Sequence, residues 1–320
     1  MTETDPRWDP EMLAAQTRLA ARAATYPPQT LTLPLDGARA TGEAIHADTT
    51  TGPVMAVTED RWLPIRGHRL LCRFHRPAGI TGPAPVLVYL HGGGWVWNSI
   101  DTHDRLMREY AAAAGCVVIG PDYTLSPEAA FPQALEESAA VVRWIAAQGA
   151  DWGLDPGRIA IGGDSAGGNL AAGVALLLRE TDPDLRLSGL LLNYGVFDAR
   201  LDTPSYDEFA DGYWLTRDKM RFYWDCYCPR PADRLNPLAS PLRADLAGLP
   251  PVLLHWAELD VLSGENAAMA ERLRAAGVPL EAEVFPGVAH GFLRALAEVA
   301  KARDAVAKAG AWLRRVFDAA

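Results

Sequence analysis

Short apolar runs alternate along this chain with longer segments whose apolar positions recur at helical spacing. The runs are PVLVYL (85–90), CVVIG (116–120), RIAIG (158–162), SGLLLNY (188–194), PVLLHW (251–256) and LEAEVF (280–285). Strands that are apolar nearly throughout suit a sheet buried on both faces, which predicts parallel strands covered by helices. Between them, Phe131, Ala134, Leu135, Ser138, Val141, Val142 and Ile145 fall on one stripe at i, i+3, i+4, i+7 spacing. The segment 265–279 reads as a helix closed by Gly277 at C′ with Pro279 just beyond. A last helix over 293–317 sets Leu296, Val299, Val306, Leu313, Val316 and Phe317 on roughly one face. The alternation predicts a doubly wound α/β sheet, with runs around 54–58 and 69–74 adding an antiparallel edge.

Two regions break the alternation. Residues 1–45 read as one or two helices interrupted at Pro27 and Pro28, and residues 203–236 form an aromatic-rich insertion between two sheet strands. Insertions at the carboxyl edge of such a sheet serve ligand sites, so both segments are expected to pack together as a cap over that edge. The division is then a cap segment 1–50 and a catalytic unit 51–320 carrying the cap insertion 203–236.

Composition narrows the picture. In 320 residues, 49% are hydrophobic and 22% charged, which is ample for a core. The net charge of −10, without a basic run, leaves no electrostatic footprint for nucleic acid or an anionic membrane surface. No apolar stretch approaches the roughly 20 residues needed to cross a bilayer. Cys72 and Cys116 lie in apolar runs, and Cys226 and Cys228 sit among aromatics; neither a zinc pattern nor a disulfide framework emerges. The opening MTETDPRWDP has no apolar core, so no secretory leader and a reducing cytoplasm are expected.

The chemistry centres on IAIGGDSAGGNLAA (159–172). Within it, Gly163-Asp164-Ser165-Ala166-Gly167 fits the G-x-S-x-G nucleophile elbow, entered by an apolar strand and left by a helical pattern. A serine hydroxyl needs a base, and the base an orienting carboxylate. In this arrangement both follow the serine, on loops after later strands. His290, after LEAEVF, is the histidine in that place, since His255 lies inside a strand pattern. Asp260, after PVLLHW, is the preferred acid, with Glu258 its rival two residues earlier. HGGGW (91–95) ends the first parallel run. Glycines there let bare N–H groups approach the carbonyl oxygen on which acyl transfer builds negative charge. Donors are expected from among Gly92, Gly93 and Gly94, favouring the latter two, with Ala166 at the helix N-terminus adding another.

These motifs together resemble the hormone-sensitive-lipase family of α/β-hydrolases, the bacterial family IV esterases. The similarity runs from about residue 65 and includes HGGGW, DTHD (101–104), DYTLSPEAAFPQALEE (122–137), GDSAGGNLA, DGYWLTRDKM (211–220), AERLRAAGVP and HGF (290–292). It implies the α/β-hydrolase fold and ester hydrolysis by Ser165, His290 and Asp260 without cofactor or metal. It also implies a cap made from the N-terminal segment and the insertion. Three positions depart from the family pattern. Thr124 replaces the usual Arg, so an arginine-mediated tie to Glu128 is not expected. Val261 and Gly264 follow the acid in place of Pro and Asp, which puts the support of that loop in question. Gly195 replaces a proline after LLLNY, where it could reshape the acyl pocket.

The leading expectation is an esterase for short- to medium-chain acyl esters. Trp95 and Trp214 are pocket candidates, and the cap aromatics Tyr206, Phe209, Tyr213, Phe222, Tyr223 and Trp224 serve as cap core or substrate contacts. The alternatives are a non-catalytic small-molecule receptor on the same scaffold, and an amidase or lactonase with the same triad. Apolar edges near the last strand suit a homodimer.

Overall fold

The computed structural model describes residues 5–27, 31–46 and 52–320. Pro28, the first four residues and 47–50 of the expected cap segment lie outside them. The core is an eight-stranded sheet: β1 (Val57–Ile65), β2 (His68–Arg76), β3 (Ala84–Leu90), β4 (Val117–Pro121), β5 (Leu154–Asp164), β6 (Leu187–Asn193), β7 (Val252–Leu259) and β8 (Leu280–Ala289). Its order is β1-β2-β4-β3-β5-β6-β7-β8, antiparallel across β1-β2 and β2-β4 and parallel from β4 onward. The antiparallel edge is longer than the runs 54–58 and 69–74. It is also less apolar, because β1 alternates exposed and buried positions and covers the core on one face only.

Central strands are buried along their length, and helices cover both faces. One face carries α3 (Asp104–Ala114) and α9 (Ala300–Asp318); the other carries α4 (Gln133–Gln148), α5 (Ala166–Thr181) and α8 (Ser263–Ala275). α5 is apolar all round, as a helix enclosed between sheet and neighbours must be. α9 begins at Ala300 rather than at 293. Residues Phe292–Ala295 form a 3₁₀ turn, while Leu296 and Val299 are buried in the stretch that leads into the helix. Helical spacing persists through that stretch because both pieces face the same core, so periodicity alone joins them.

The N-terminal segment contributes α1 (Pro10–Ala23), capped by the Asp9 carboxylate on the N–H groups of Glu11 and Met12, and α2 (Asp36–His46). The 203–236 insertion contributes the short α6 (Pro204–Glu208) and α7 (Arg217–Tyr227). The segments meet: Trp8 stacks on Tyr213 with ring centroids 5.5 Å apart, Tyr213 OH donates to Asp5 at 2.6 Å, and Arg7 pairs with Glu208 at 2.7 Å. Among the described residues, no helix is long and apolar enough to cross a membrane. The four cysteines are unpaired and buried.

Candidate active site

Parallel strands deliver their carboxyl ends to one edge of a sheet, and side chains just past those ends share a crevice. Here β3 leads directly into His91, β5 into Ser165, β7 into Asp260 and β8 into His290. Ser165 sits at φ 56°, ψ −120°, a strained conformation for an L-residue, held by its N–H donating to Asn193 O at 2.9 Å and by the start of α5. The turn is sharp enough that the chain crosses itself at glycine. A Cβ on Gly163 would lie 2.5 Å from the Gly167 carbonyl carbon.

Ser165 Oγ lies 2.9 Å from His290 Nε2, and His290 Nδ1 lies 2.7 Å from Asp260 Oδ2. The other Asp260 oxygen accepts from Leu262 N–H at 3.0 Å, and Tyr194 meets the imidazole edge-on with centroids 5.0 Å apart. Glu258 points elsewhere, accepting from Gly287 N–H at 2.8 Å. His255 is buried within β7, where burial pushes its imidazole down to about 4.

The three glycines divide. Gly92 N–H donates to Asp164 Oδ1 at 3.1 Å and is therefore engaged, which corrects its inclusion among the free donors. Gly93 and Gly94 adopt φ of 131° and 60°, and their N–H groups, like that of Ala166, meet no acceptor among the described residues. Asp164, the unremarked second residue of the elbow, anchors the turn. It accepts from Tyr89 OH at 3.0 Å and from Gly92, and lies 3.4 Å from His103. Burial raises the Asp164 carboxyl, but His103 and Tyr89 outweigh it and hold the group below its ordinary value. The signal for this role was the acid inside the elbow together with the histidine of DTHD.

A cavity of about 650 Å³ opens onto Ser165, lined by Gly92 to Gly94, His290, parts of α1 and α2, and Trp214, Lys219 and Tyr223 of the insertion. Trp95 is not part of it. The tight turn, with φ of 61° at Trp95, carries the indole into the core, where it stacks on Tyr227 at 4.2 Å and leans on Trp224 at 5.0 Å. The insertion's aromatics split likewise. Tyr206, Phe209, Tyr213 and Trp224 are buried as packing, whereas Trp214 and Tyr223 face the cavity.

Two doubts raised by sequence departures have structural answers. The tie to Glu128 does exist, supplied from elsewhere. Arg39 of α2 grips both Glu128 oxygens at 2.7 and 2.8 Å and also donates to the carbonyls of Val96 and Ser126. Thr124, in the arginine's usual place, instead donates to Glu137 through its N–H and hydroxyl, both at 2.8 Å. The acid loop is held by Gly264 N–H donating to Ser205 Oγ at 3.1 Å, where a Cβ would lie 2.8 Å from Thr203 Cβ. Gly195 is equally confined, since a Cβ there would lie 2.4 Å from the Phe197 ring.

Next to that loop, Glu265 is buried, accepting from Phe197 N–H at 2.6 Å, Asp198 N–H at 3.0 Å and Tyr206 OH at 2.8 Å. Burial pushes its carboxyl up to about 7, with the three donors opposing. The folded state therefore holds this proton more tightly than the unfolded chain. The resulting stability is full below the ordinary carboxyl value and declines as pH rises through about 7. Chemical denaturation from pH 5 to 8 is expected to show this decline in the native protein and to lose it in Glu265→Gln. Glu265→Ala, which strands three buried donors, is expected to lose about 3 kcal/mol or more.

Residues 87–294 match the family described by the α/β hydrolase fold. The chain is 38% identical over 252 residues to carboxylesterase NlhH of Mycobacterium tuberculosis, covering 77% of this chain and 78% of that one. Among solved structures, a thermostable esterase from Pseudomonas putida superposes with a TM-score of 0.90 at 35% identity, covering 98% of each chain. The hyperthermophilic esterase of the archaeon Pyrobaculum calidifontis gives a TM-score of 0.89 at 33% identity, over 96% of this chain and 98% of that one. The chain belongs to the α/β hydrolases, in the hormone-sensitive-lipase branch with the bacterial family IV esterases. The protein is a serine carboxylesterase.

Proposed function

We propose that Ser165, His290 and Asp260 carry the ester hydrolysis through an acyl-enzyme, with Gly93, Gly94 and Ala166 as oxyanion donors. The observation that carries this reading is the continuous chain from Ser165 Oγ through His290 to Asp260, at 2.9 and 2.7 Å. Ser165 Oγ attacks the ester carbonyl as His290 Nε2 takes its proton. The carbonyl oxygen gathers negative charge against the free amides, the C–O bond to the alcohol breaks, and His290 returns the proton to the leaving oxygen. Water then attacks the acyl carbon, giving its proton to His290, and the acid departs as Ser165 Oγ is reprotonated. Asp260 fixes the imidazole tautomer and stabilises its cation.

An alkyl phosphonate carrying a p-nitrophenoxy leaving group tests the assignment. The expected result is one adduct per chain, located on the Ser165 peptide by mass spectrometry; labelling elsewhere, or none, would sink it. Gly93→Ala tests the donors. A Cβ there would lie 2.2 Å from Trp97 O, so the turn must move. Displacing one such donor is expected to lower kcat by about 10² to 10³.

Short- to medium-chain acyl groups fit a cavity of about 650 Å³. A series of p-nitrophenyl esters from acetate to palmitate is expected to peak before the long chains. The same reading treats 1–50 and 203–236 as a cap over the catalytic unit 51–320, supported by the Trp8–Tyr213 stack. The reducing cytoplasm as compartment is supported by the four unpaired cysteines. A homodimer across the β8 edge is supported by Val284, 43% exposed on that strand, and light scattering reads it.

A further inference from the structure

Arg294 lies in the 3₁₀ turn Phe292–Ala295 and lines the cavity with His290 and Gly291. Its Nε and Nη2 are buried and make no hydrogen bond among the described residues. Guanidinium stays charged in proteins and offers a planar fork of donors, so a buried and unmatched one is unfavourable until an acceptor arrives. The nearby acids do not supply it. Asp164 is committed to Tyr89, Gly92 and His103, and Glu43 influences Arg294 through space without forming an ion pair.

The other charges around the cavity sharpen the contrast. Arg18 pairs with Glu298, Arg39 with Glu128 and Arg105 with Glu109, which leaves them largely neutralised. Among the described residues, Lys219 has no carboxylate partner and donates to Trp214 O at 2.8 Å. Burial, with the positive charge of Arg294 next in weight, pushes the His46 imidazole down to about 2. Arg294 and Lys219 thus line this cavity with no carboxylate hydrogen-bonded to them among the described residues, and a negative group on a ligand would meet both.

We propose that Arg294 receives a free carboxylate carried by the substrate, so that the preferred esters are monoanions such as half-esters of dicarboxylic acids. This rests on the reading of Ser165 as the nucleophile only for where the ester sits. The fork of Arg294 matches a carboxylate in geometry, and Lys219 adds a second positive charge on the same cavity wall set. A neutral ester leaves the guanidinium unmatched.

Two measurements test it together. The first is the ratio of kcat/KM for monomethyl adipate to that for methyl hexanoate, in the native enzyme, Arg294→Gln and Arg294→Lys. The native ratio is expected to exceed one, to fall by about 30-fold in Arg294→Gln, and to be partly kept by Arg294→Lys. A merely structural arginine would lower both rates and leave the ratio unchanged, which would overturn the proposal; so would a native ratio at or below one. The second is calorimetric binding of monomethyl adipate to Ser165→Ala, with and without Arg294→Gln. Binding that depends on Arg294 supports the proposal even if no hydrolysis is found, in which case the reading of Ser165 alone fails. Equal binding by both variants overturns it.

Discussion

Ser165→Ala is expected to lower kcat for p-nitrophenyl butyrate by about 10⁵ to 10⁶, the range seen when a triad nucleophile is removed. On the proposed mechanism the hydroxyl is the atom that bonds to carbon, and no neighbour can replace it. His290 would still be held by Asp260 at 2.7 Å, and the proposed oxyanion donors, the amides of Gly93, Gly94 and Ala166, would keep their places. What survives is the weak catalysis of positioning and oxyanion stabilisation alone. KM should change little, since one oxygen removed from the wall of a cavity of about 650 Å³ leaves its shape intact. Because the triad acts as a unit, Ser165→Ala with His290→Ala should be no worse than Ser165→Ala alone. Retention of more than a tenth of the native rate would mean that another group attacks the ester.

The largest loss of stability is expected from Gly167→Ala. A Cβ there would lie 1.9 Å from Leu90 O, 2.6 Å from Leu90 C and 2.7 Å from His91 O. These are backbone atoms at the end of β3 and of the residue just after it, and β3 is paired on both sides by β4 and β5, so they cannot retreat as a flexible side chain would. α5 would have to lift away from the sheet, taking Ser165 with it. The cost is expected to exceed about 4 kcal/mol, which places it among the few substitutions that remove a folded state. Gly37→Ala is the contrasting case. It lies in α2 with nothing within 4 Å of its added Cβ, and is expected to stabilise slightly, by about 0.5 kcal/mol. Denaturation midpoints by circular dichroism, with the insoluble fraction after expression, separate the two. Similar midpoints would show that the elbow packs less tightly than described.

The apolar run 158–162 predicts only the middle of β5, which spans Leu154–Asp164. Pro156 and Gly157 look like a turn in sequence, and the pairing with β3 does jump there, from Ala84–Leu154 to Val86–Ile159. The glycine-rich turn was read for its freedom, but freedom does not say which N–H groups remain unengaged. That depended on Asp164, which lies 72 positions away in sequence and claims Gly92. Adjacency to the glycines puts Trp95 at the pocket in sequence, whereas its positive φ turns the indole away from it.

By itself the sequence determined the strand and helix alternation, the elbow, and the order in which serine, acid and histidine arrive at one edge. Those features are local: periodicity, turn chemistry and residue order survive without knowing what packs against them. The tertiary structure alone decided that Arg39 grips Glu128 and that Gly92 serves Asp164. It also decided that Arg294 stands on the cavity wall with His290, its Nε and Nη2 without a hydrogen-bond acceptor among the described residues. Such pairings join distant parts of the chain through close packing and through the direction each side chain takes from its backbone, and no spacing in the sequence records either.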